Sequence, residues 1–424
     1  MRILIPAVAS LTGLGLAFTG CTVNQPSAST TSGGSATGSL LVSSTEDACT
    51  VSTATITSGP ATFEITNEGT QTTEFYVLGS DGLRIVAERE NIAPGSSADL
   101  SINLQPGDYF TACKPGMRGA NVGEAAFTVT GEPIELSGED QELFDAVVVD
   151  YVNFVKNEVA QLSPKVDALV DAFVAGEDDT ARELFAETRV HYERIEPVAE
   201  ALGVLDPRID YREIDYKAEA DLLAEDDPTF TEWLGFHRIE KDLWVPAEDG
   251  IQPDGSSAWE DWQPSTEADR KRIGETLRSD VAKLYETVHA AGFIETQQMD
   301  IATVSNGAAS LLEEVAVSKV TGEEDWWSHT DLYDFAGNVE GARVAFDLVA
   351  PIAERKGGEG SDLVAQINQE FDDLEAALAV HGSLESGFVS YDTVDREGQR
   401  DLVAAIDAAR APLSRLTGTV LGIA

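Results

Sequence analysis

The chain has 424 residues, enough for two to four domains at roughly 100–200 residues each, and 42% of them are hydrophobic, so packed cores are expected. Its 28 Lys and Arg against 75 Asp and Glu give a net charge of −47. A surface of that sign repels nucleic acid and anionic lipid head groups and attracts metal cations and cationic partners, although surplus carboxylates also serve solubility alone.

Arg2 is the only early charge, Ile3–Phe18 is mostly apolar, and the stretch closes Phe18-Thr19-Gly20-Cys21. Residues 1–20 therefore read as an export signal, too short for a comfortable transmembrane span. Small residues directly before a cysteine resemble a bacterial lipobox, in which Cys21 is lipidated and becomes the mature N-terminus. Phe18 stands where Leu is usual, and an ordinary secretory signal with an incidental cysteine is the alternative. Residues 21–44 are rich in Ser, Thr, Gly and Ala, which predicts a flexible tether. The expected location is the outer face of the cytoplasmic membrane, in the periplasm or cell envelope, held by lipid. With Cys21 so used, Cys49 and Cys113 remain. Outside the cytoplasm they are most simply a disulfide, with metal ligation as the rival.

Short β-rich runs follow at Thr53–Thr57, Thr62–Thr66, Glu74–Leu78, Leu83–Ala87, Asp99–Asn103, Tyr109–Ala112 and Ala125–Thr130, broken by turn signals such as Ser58-Gly59-Pro60 and Gln105-Pro106-Gly107. About seven strands at this spacing predict a β-sandwich or small barrel over residues 45–131. A linker is expected near Gly131–Gly138. Beyond it the period changes: Leu143, Phe144, Val147, Val148, Tyr151, Val152 and Val155 recur at helical spacing, with Ser137 as a fair cap. Further helices are predicted near 178–202, 230–244, 266–291, 308–321, 329–352, 361–380 and 393–416, with a long loop from Trp244 to Pro264. The fold class is multidomain β + α, with an all-α bundle over 139–424. Residues 1–138 carry 5 basic against 13 acidic residues and the remainder 23 against 62, so a metal site has more carboxylates to draw on in the bundle.

All five histidines, His191, His237, His289, His329 and His381, lie in the helical part. A type 1 copper site needs histidines beside a cysteine, so the β domain cannot hold a conventional one. His237 and Glu240 are three apart, an HxxE spacing that puts both on one face of a helix where they can converge on an ion. By itself this spacing is common in acidic helical proteins, where it is usually a salt bridge.

The run Gly235-Phe236-His237-Arg238-Ile239-Glu240 resembles the GxHxxE signature of the imelysin-like family. Tyr192-Glu193-Arg194-Ile195-Glu196-Pro197 and the segment Ser328–Phe335 resemble its other helical segments, and the β domain ahead of them looks like a cupredoxin. This order is similar to the EfeO family, extracytoplasmic components of a bacterial iron-uptake system. The resemblance runs from about Asp47 to the C-terminus. It implies a protein that binds Fe²⁺ or Fe³⁺ and works with an EfeU-like iron permease and an EfeB-like haem peroxidase, with copper or zinc as other ions. It also implies His237 and Glu240 at the metal. Because a hard cation favours carboxylate oxygens, Glu193 at the head of the Tyr192–Pro197 run is the first added ligand and Asp334 the second. Asp331, Glu196, His191 and His329 stand in reserve. The resemblance further implies a second metal site on Glu74, Cys49 and Cys113, with Glu90 and Met117 as weaker candidates; a disulfide between the cysteines would remove the thiolates. The rival function is a zinc-dependent peptidase, since imelysins are also classed with peptidases. Yet the chain has no HExxH, and Arg238 rather than a base follows His237. A scaffold protein with a vestigial metal motif is a third reading.

Overall fold

The computed structural model describes residues 39–132, 139–203, 205–219, 232–317 and 319–422. The export signal, Cys21, most of the tether and Ser137 lie outside the described residues. Nine strands form the β domain: β1 (Leu40–Ser44), β2 (Cys49–Val51), β3 (Thr55–Thr57), β4 (Gly59–Asn67), β5 (Thr73–Leu78), β6 (Ile85–Ile92), β7 (Ser97–Leu104), β8 (Gly107–Pro115) and β9 (Val122–Thr130). They pair as two sheets, β2-β1-β4-β7 and β3-β9-β8-β5-β6, and Phe63, Phe75 and Phe127 pack in the core between them. This is the expected sandwich, with one correction. The predicted tether ends earlier, because Leu40 and Val42 point into the core and β1 lies parallel to β4 with Leu40 opposite Phe63. Cys49 on β2 and Cys113 on β8 are joined as a disulfide.

The helical part contains α1 (Glu139–Ala175), α2 (Asp178–Glu193), α3 (Glu196–Glu200), α4 (Leu205–Asp210), α5 (Glu213–Glu219), α6 (Phe236–Leu243), α7 (Glu267–Val288), α8 (Phe293–Gln297), α9 (Ile301–Val317), α10 (Asp331–Glu354), α11 (Gly358–Ala379), α12 (Arg396–Leu413) and α13 (Leu416–Leu421). α1 packs on α2 and α7, while α10 packs on α2, α9 and α11. The predicted helix 178–202 is broken at Arg194 and Ile195. Pro197 is the cause: in a continuous helix its ring would strike the carbonyl of Glu193, four residues back. That carbonyl instead accepts a hydrogen bond of 2.9 Å from the Asn338 side chain on α10. The predicted loop from Trp244 to Pro264 is irregular apart from one antiparallel bridge, Ile251 to Ser257.

The sandwich lies against the bundle through an edge strand of each sheet, β6 of the second and β7 of the first. β6 meets α9, where Arg89 pairs with Glu313 at 3.0 Å, and Asn306 donates to the Ser101 carbonyl at 2.9 Å. β5 is consequently buried on both faces, which hides the in–out alternation expected of a sandwich strand. Among the described residues no helix is long and apolar enough to cross a membrane.

Candidate metal centre

α6 opens at Gly235, whose φ of +90° suits glycine. A Cβ there would lie 2.3 Å from the Ile209 carbonyl oxygen, so only glycine lets α6 start against the end of α4. That contact brings His237 beside Asp210. The His237 Nε2 lies 3.5 Å from Asp210 Oδ1 and 3.3 Å from Glu324 Oε1. On the other side of the ring, Nδ1 lies 3.1 Å from Glu240 Oε2 and 3.9 Å from Asp325 Oδ1. The second Glu240 oxygen accepts the backbone N–H groups of Trp327 and Ser328 at 2.9 and 2.8 Å, which fixes the carboxylate against the turn ahead of α10. Every one of these side chains is buried.

Behind them sits an ionic network. Arg189, one helical turn before Glu193 on α2, is fully buried and contacts Asp210, Glu193, Glu324, Asp325 and Asp334. Lys319 is buried too and binds Glu193, Glu196 and Glu314. Asn338 donates to Glu193 and Glu196. A Cβ at Gly341 would lie 2.4 Å from the Arg194 carbonyl, so this glycine lets α10 approach α2 closely enough to make those contacts.

Buried carboxylates outnumber the cations, and the acid–base properties follow. Burial pushes the Asp210 carboxyl up to about 6 even with Arg189 and His237 pulling it down, and Asp331 up to about 7. Asp325 and Asp334 are raised well above the usual range, chiefly by burial. For His237, burial and the Arg189 charge oppose the imidazolium, but the Glu240, Glu324 and Asp210 carboxylates outweigh them and raise it to about 10. Several polar atoms find no hydrogen-bond partner: His237 Nε2, Asp325 Oδ1, Asp331 Oδ2 and Asp334 Oδ1. An unsatisfied buried carboxylate oxygen is costly, and a coordinated cation would relieve it. Among the described residues three overlapping sets bring donor atoms within 4.8 Å of one another: Asp210, His237 and Glu324; His237, Glu240 and Asp325; and Glu193, Glu196, Asp210 and Glu324. One imidazole among carboxylates suits a hard or borderline ion such as iron.

The structure unites His237 and Glu240 as the sequence suggests. Glu193 joins the neighbouring set through Asp210 and Glu324, and Asp334 reaches it only through Arg189. Of the reserves, Glu196 belongs to the set around Lys319, and Asp331 accepts the Asp325 N–H at 3.2 Å. His191 is turned away onto Glu158 at 2.7 Å, and His329 is held in the turn by its backbone, which donates to the Asp325 carbonyl. The sequence reading missed Asp210, Glu324 and Asp325. The nearest signal for the last two is the Glu323-Glu324-Asp325 run just ahead of the Ser328–Phe335 segment.

The second site on the β domain needs correction. With Cys49 and Cys113 joined, neither offers a thiolate. In addition, Phe75 faces Cys113 across β5 and β8 while Glu74 faces Lys114, so Glu74 points to the opposite side of the sheet from the disulfide. There Glu74, Glu88, Glu90 and Met117 line a cleft of about 720 Å³ between the β domain and the bundle, and Glu196, Asp210 and Glu324 line its other wall. Glu74 accepts the Tyr76 hydroxyl, and burial raises its carboxyl to about 7.

The comparisons agree with this architecture. The imelysin family model matches residues 147–416, and the cupredoxin-like domain model matches residues 13–123. Over 386 residues the chain is 35% identical to the iron uptake system component EfeO of Escherichia coli (strain K12), which covers 91% of this chain and 92% of that protein. Proteins of the same name from Shigella flexneri and Shigella sonnei match with the same identity and coverage.

Proposed function

Because the chain belongs to the imelysin family, and within it to the EfeO iron-uptake components, we propose that it captures iron outside the cytoplasmic membrane and delivers it to a membrane permease. The observation that carries this reading is His237: each ring nitrogen faces a pair of buried carboxylates, with Asp210 and Glu324 on one side and Glu240 and Asp325 on the other. His237 and Glu240 anchor the ion, and Asp210, Glu324 and Asp325 complete the donors. Glu193 supports them from the adjoining set, and Asp334 acts on them through Arg189. The wide acidic cleft gives a cation a route inward, since field lines from its walls concentrate positive ions there. Partners of the kind expected are an EfeU-like permease, which accepts the ion, and an EfeB-like haem peroxidase, which acts on its oxidation state. Attachment is by lipid on Cys21.

The chain is read as a binding protein rather than a peptidase. Among the described residues the donor sets contain a single histidine, and a zinc peptidase would need further neutral ligands and a free general base. Here the carboxylates near His237 are gathered by Arg189 and by backbone N–H groups into donor sets for a cation, and none stands apart from them as a base.

Metal titration of the mature chain from Cys21, with Fe²⁺, Fe³⁺, Zn²⁺ and Cu²⁺ compared, tests this. One tight iron equivalent in the wild type, lost in His237→Ala/Glu240→Ala, is the expected result. Undiminished iron binding in that variant would move the site elsewhere. Tight binding of zinc alone, with proteolysis lost in the same variant, would restore the peptidase reading.

A further inference from the structure

Arg189 touches all three donor sets, and it does so through the oxygens that face the imidazole. Asp210 Oδ1, 3.5 Å from His237 Nε2, is the atom bound by Arg189 Nη1. Glu324 Oε1, 3.3 Å from the same Nε2, lies 3.3 Å from Arg189 Nη2. Asp325 Oδ1, 3.9 Å from His237 Nδ1, lies 3.6 Å from Arg189 Nε. A carboxylate oxygen has two lone-pair directions, so sharing is geometrically permitted. Electrostatically it is not comfortable: a divalent or trivalent ion on these oxygens would sit within a few ångströms of a guanidinium, in a buried site where like charges repel strongly. Arg remains charged under all ordinary conditions, so it cannot yield by losing a proton.

We infer that Arg189 is a tethered stand-in cation, which holds the carboxylates together in the metal-free protein and must be displaced from Asp210 and Glu324 when a transition-metal ion binds. The inference rests on the metal-binding reading of this cluster. The structure also provides a place for the displaced group. Asp334 Oδ2 already accepts hydrogen bonds from Arg189 Nε and Nη2 at 3.4 Å each, and its Oδ1 is buried without a hydrogen-bond partner, so it can take more of the guanidinium. Phe185 and Phe236, whose ring centres lie 6.0 and 5.6 Å from the guanidinium carbon, offer it cation–π contact. On this account Asp334 receives Arg189 and does not ligate the metal. A built-in competitor makes binding reversible: every ion captured is opposed by a charge ready to return, which suits a protein that hands its cargo on.

The test compares wild type with Arg189→Gln and Arg189→Lys, using Fe²⁺ under argon as the probe and reading affinity, dissociation rate and apo melting temperature. Arg189→Gln is expected to bind at least about tenfold more tightly, with slower dissociation, while its metal-free form melts lower because the carboxylates lose their counter-charge. Arg189→Lys, which keeps a charge but cannot span five carboxylates, is expected between the two and keeps the question open to measurement where the Gln variant does not fold. Equal or weaker binding by both variants would overturn the inference and make Arg189 a brace that orients the ligands. A crystal structure of the Fe²⁺-loaded wild type decides independently: the guanidinium is expected to have left Asp210 and Glu324 for Asp334, and an unmoved guanidinium would overturn the inference. Absence of Fe²⁺ binding by the wild type would instead sink the metal-binding reading itself.

Discussion

Around His237 the carboxylates are fully buried, carry tethered cations among them and leave several oxygens without a partner; across the cleft, Glu74, Glu88 and Glu90 lie on a sheet face with no histidine and with both cysteines committed elsewhere. The first group is assembled from five separate segments, on α2, α4, α6, α10 and the turn before it. The second comes from two neighbouring strands, where alternate residues fall on one face as a matter of course. The contrast shows what distinguishes a site from an acidic surface. Building the His237 cluster requires specific close approaches between distant segments, whereas the strand carboxylates share one face through strand alternation alone, even where the bundle buries them.

If close approach makes the cluster, then removing it should have the largest effect. Gly235→Ala places a Cβ 2.3 Å from the Ile209 carbonyl at a φ of +90°, and we expect a loss of roughly 3 kcal/mol in stability together with loss of the tight iron equivalent. Denaturant unfolding and metal titration would read both. A variant that unfolds early but binds iron unchanged would separate the two and show that α4 need not be held against α6. Comparable in stability, but without the loss of iron, is the effect expected at the disulfide. Cys49→Ser/Cys113→Ser closes no loop in the unfolded chain and should cost about 2–5 kcal/mol, confined to the β domain, with iron stoichiometry untouched. Loss of a bound metal equivalent in that variant would bring the cysteines back as ligands.

The same contrast explains what could be read from the sequence. Strand and helix periods were legible because each depends on neighbours a few residues away, and His237 with Glu240 was legible because one helical turn joins them. The strand at Leu40–Ser44 was not, since three apolar residues in a Ser-rich stretch resemble a tether until Phe63 lies opposite Leu40. Asp210, Glu324 and Asp325 were hidden for a different reason. In a chain with 75 acidic residues an aspartate or glutamate carries no local mark of belonging to such a cluster. What selects these three is tertiary: the Gly235 contact, the Trp327 and Ser328 N–H groups that pin the turn, and the Arg189 fork that gathers them.

A smaller effect should appear with pH. Glu74 and Asp331 are pushed up to about 7 and Glu88 to about 8, in each case mainly by burial. Carboxyls raised in the folded state bind protons more tightly there than in the unfolded chain, so their contribution is complete below about 4 and is lost as pH rises through 7 to 8. His237, raised to about 10, acts in the same direction, since its contribution is complete below the ordinary histidine value and fades toward 10. The metal-free protein should therefore melt higher at pH 5.5 than at pH 8, by at least about 3 °C. Thermal scans in metal-free buffer would show it. A rise in melting temperature between those two pH values would mean that the acidic groups are ionised and already compensated.

The smallest expected effect concerns the cleft wall. If Glu88 and Glu90 only concentrate cations, Glu88→Gln/Glu90→Gln should leave the iron equivalents and equilibrium affinity of the bundle unchanged. Entry should be unchanged at pH 6, where burial keeps both carboxyls protonated, and should slow by about threefold at low ionic strength and pH 8.5, where Glu88 is charged and a focused negative potential raises the local ion concentration. The difference should vanish near 0.5 M salt, where screening shortens the reach of those charges to about 4 Å. Stopped-flow binding of Fe²⁺ at several salt concentrations measures this. A salt-independent slowing, or the loss of an equivalent, would instead mean that the strand carboxylates hold the ion themselves on its way to His237, and the line drawn between a site and an acidic surface would have to move to include them.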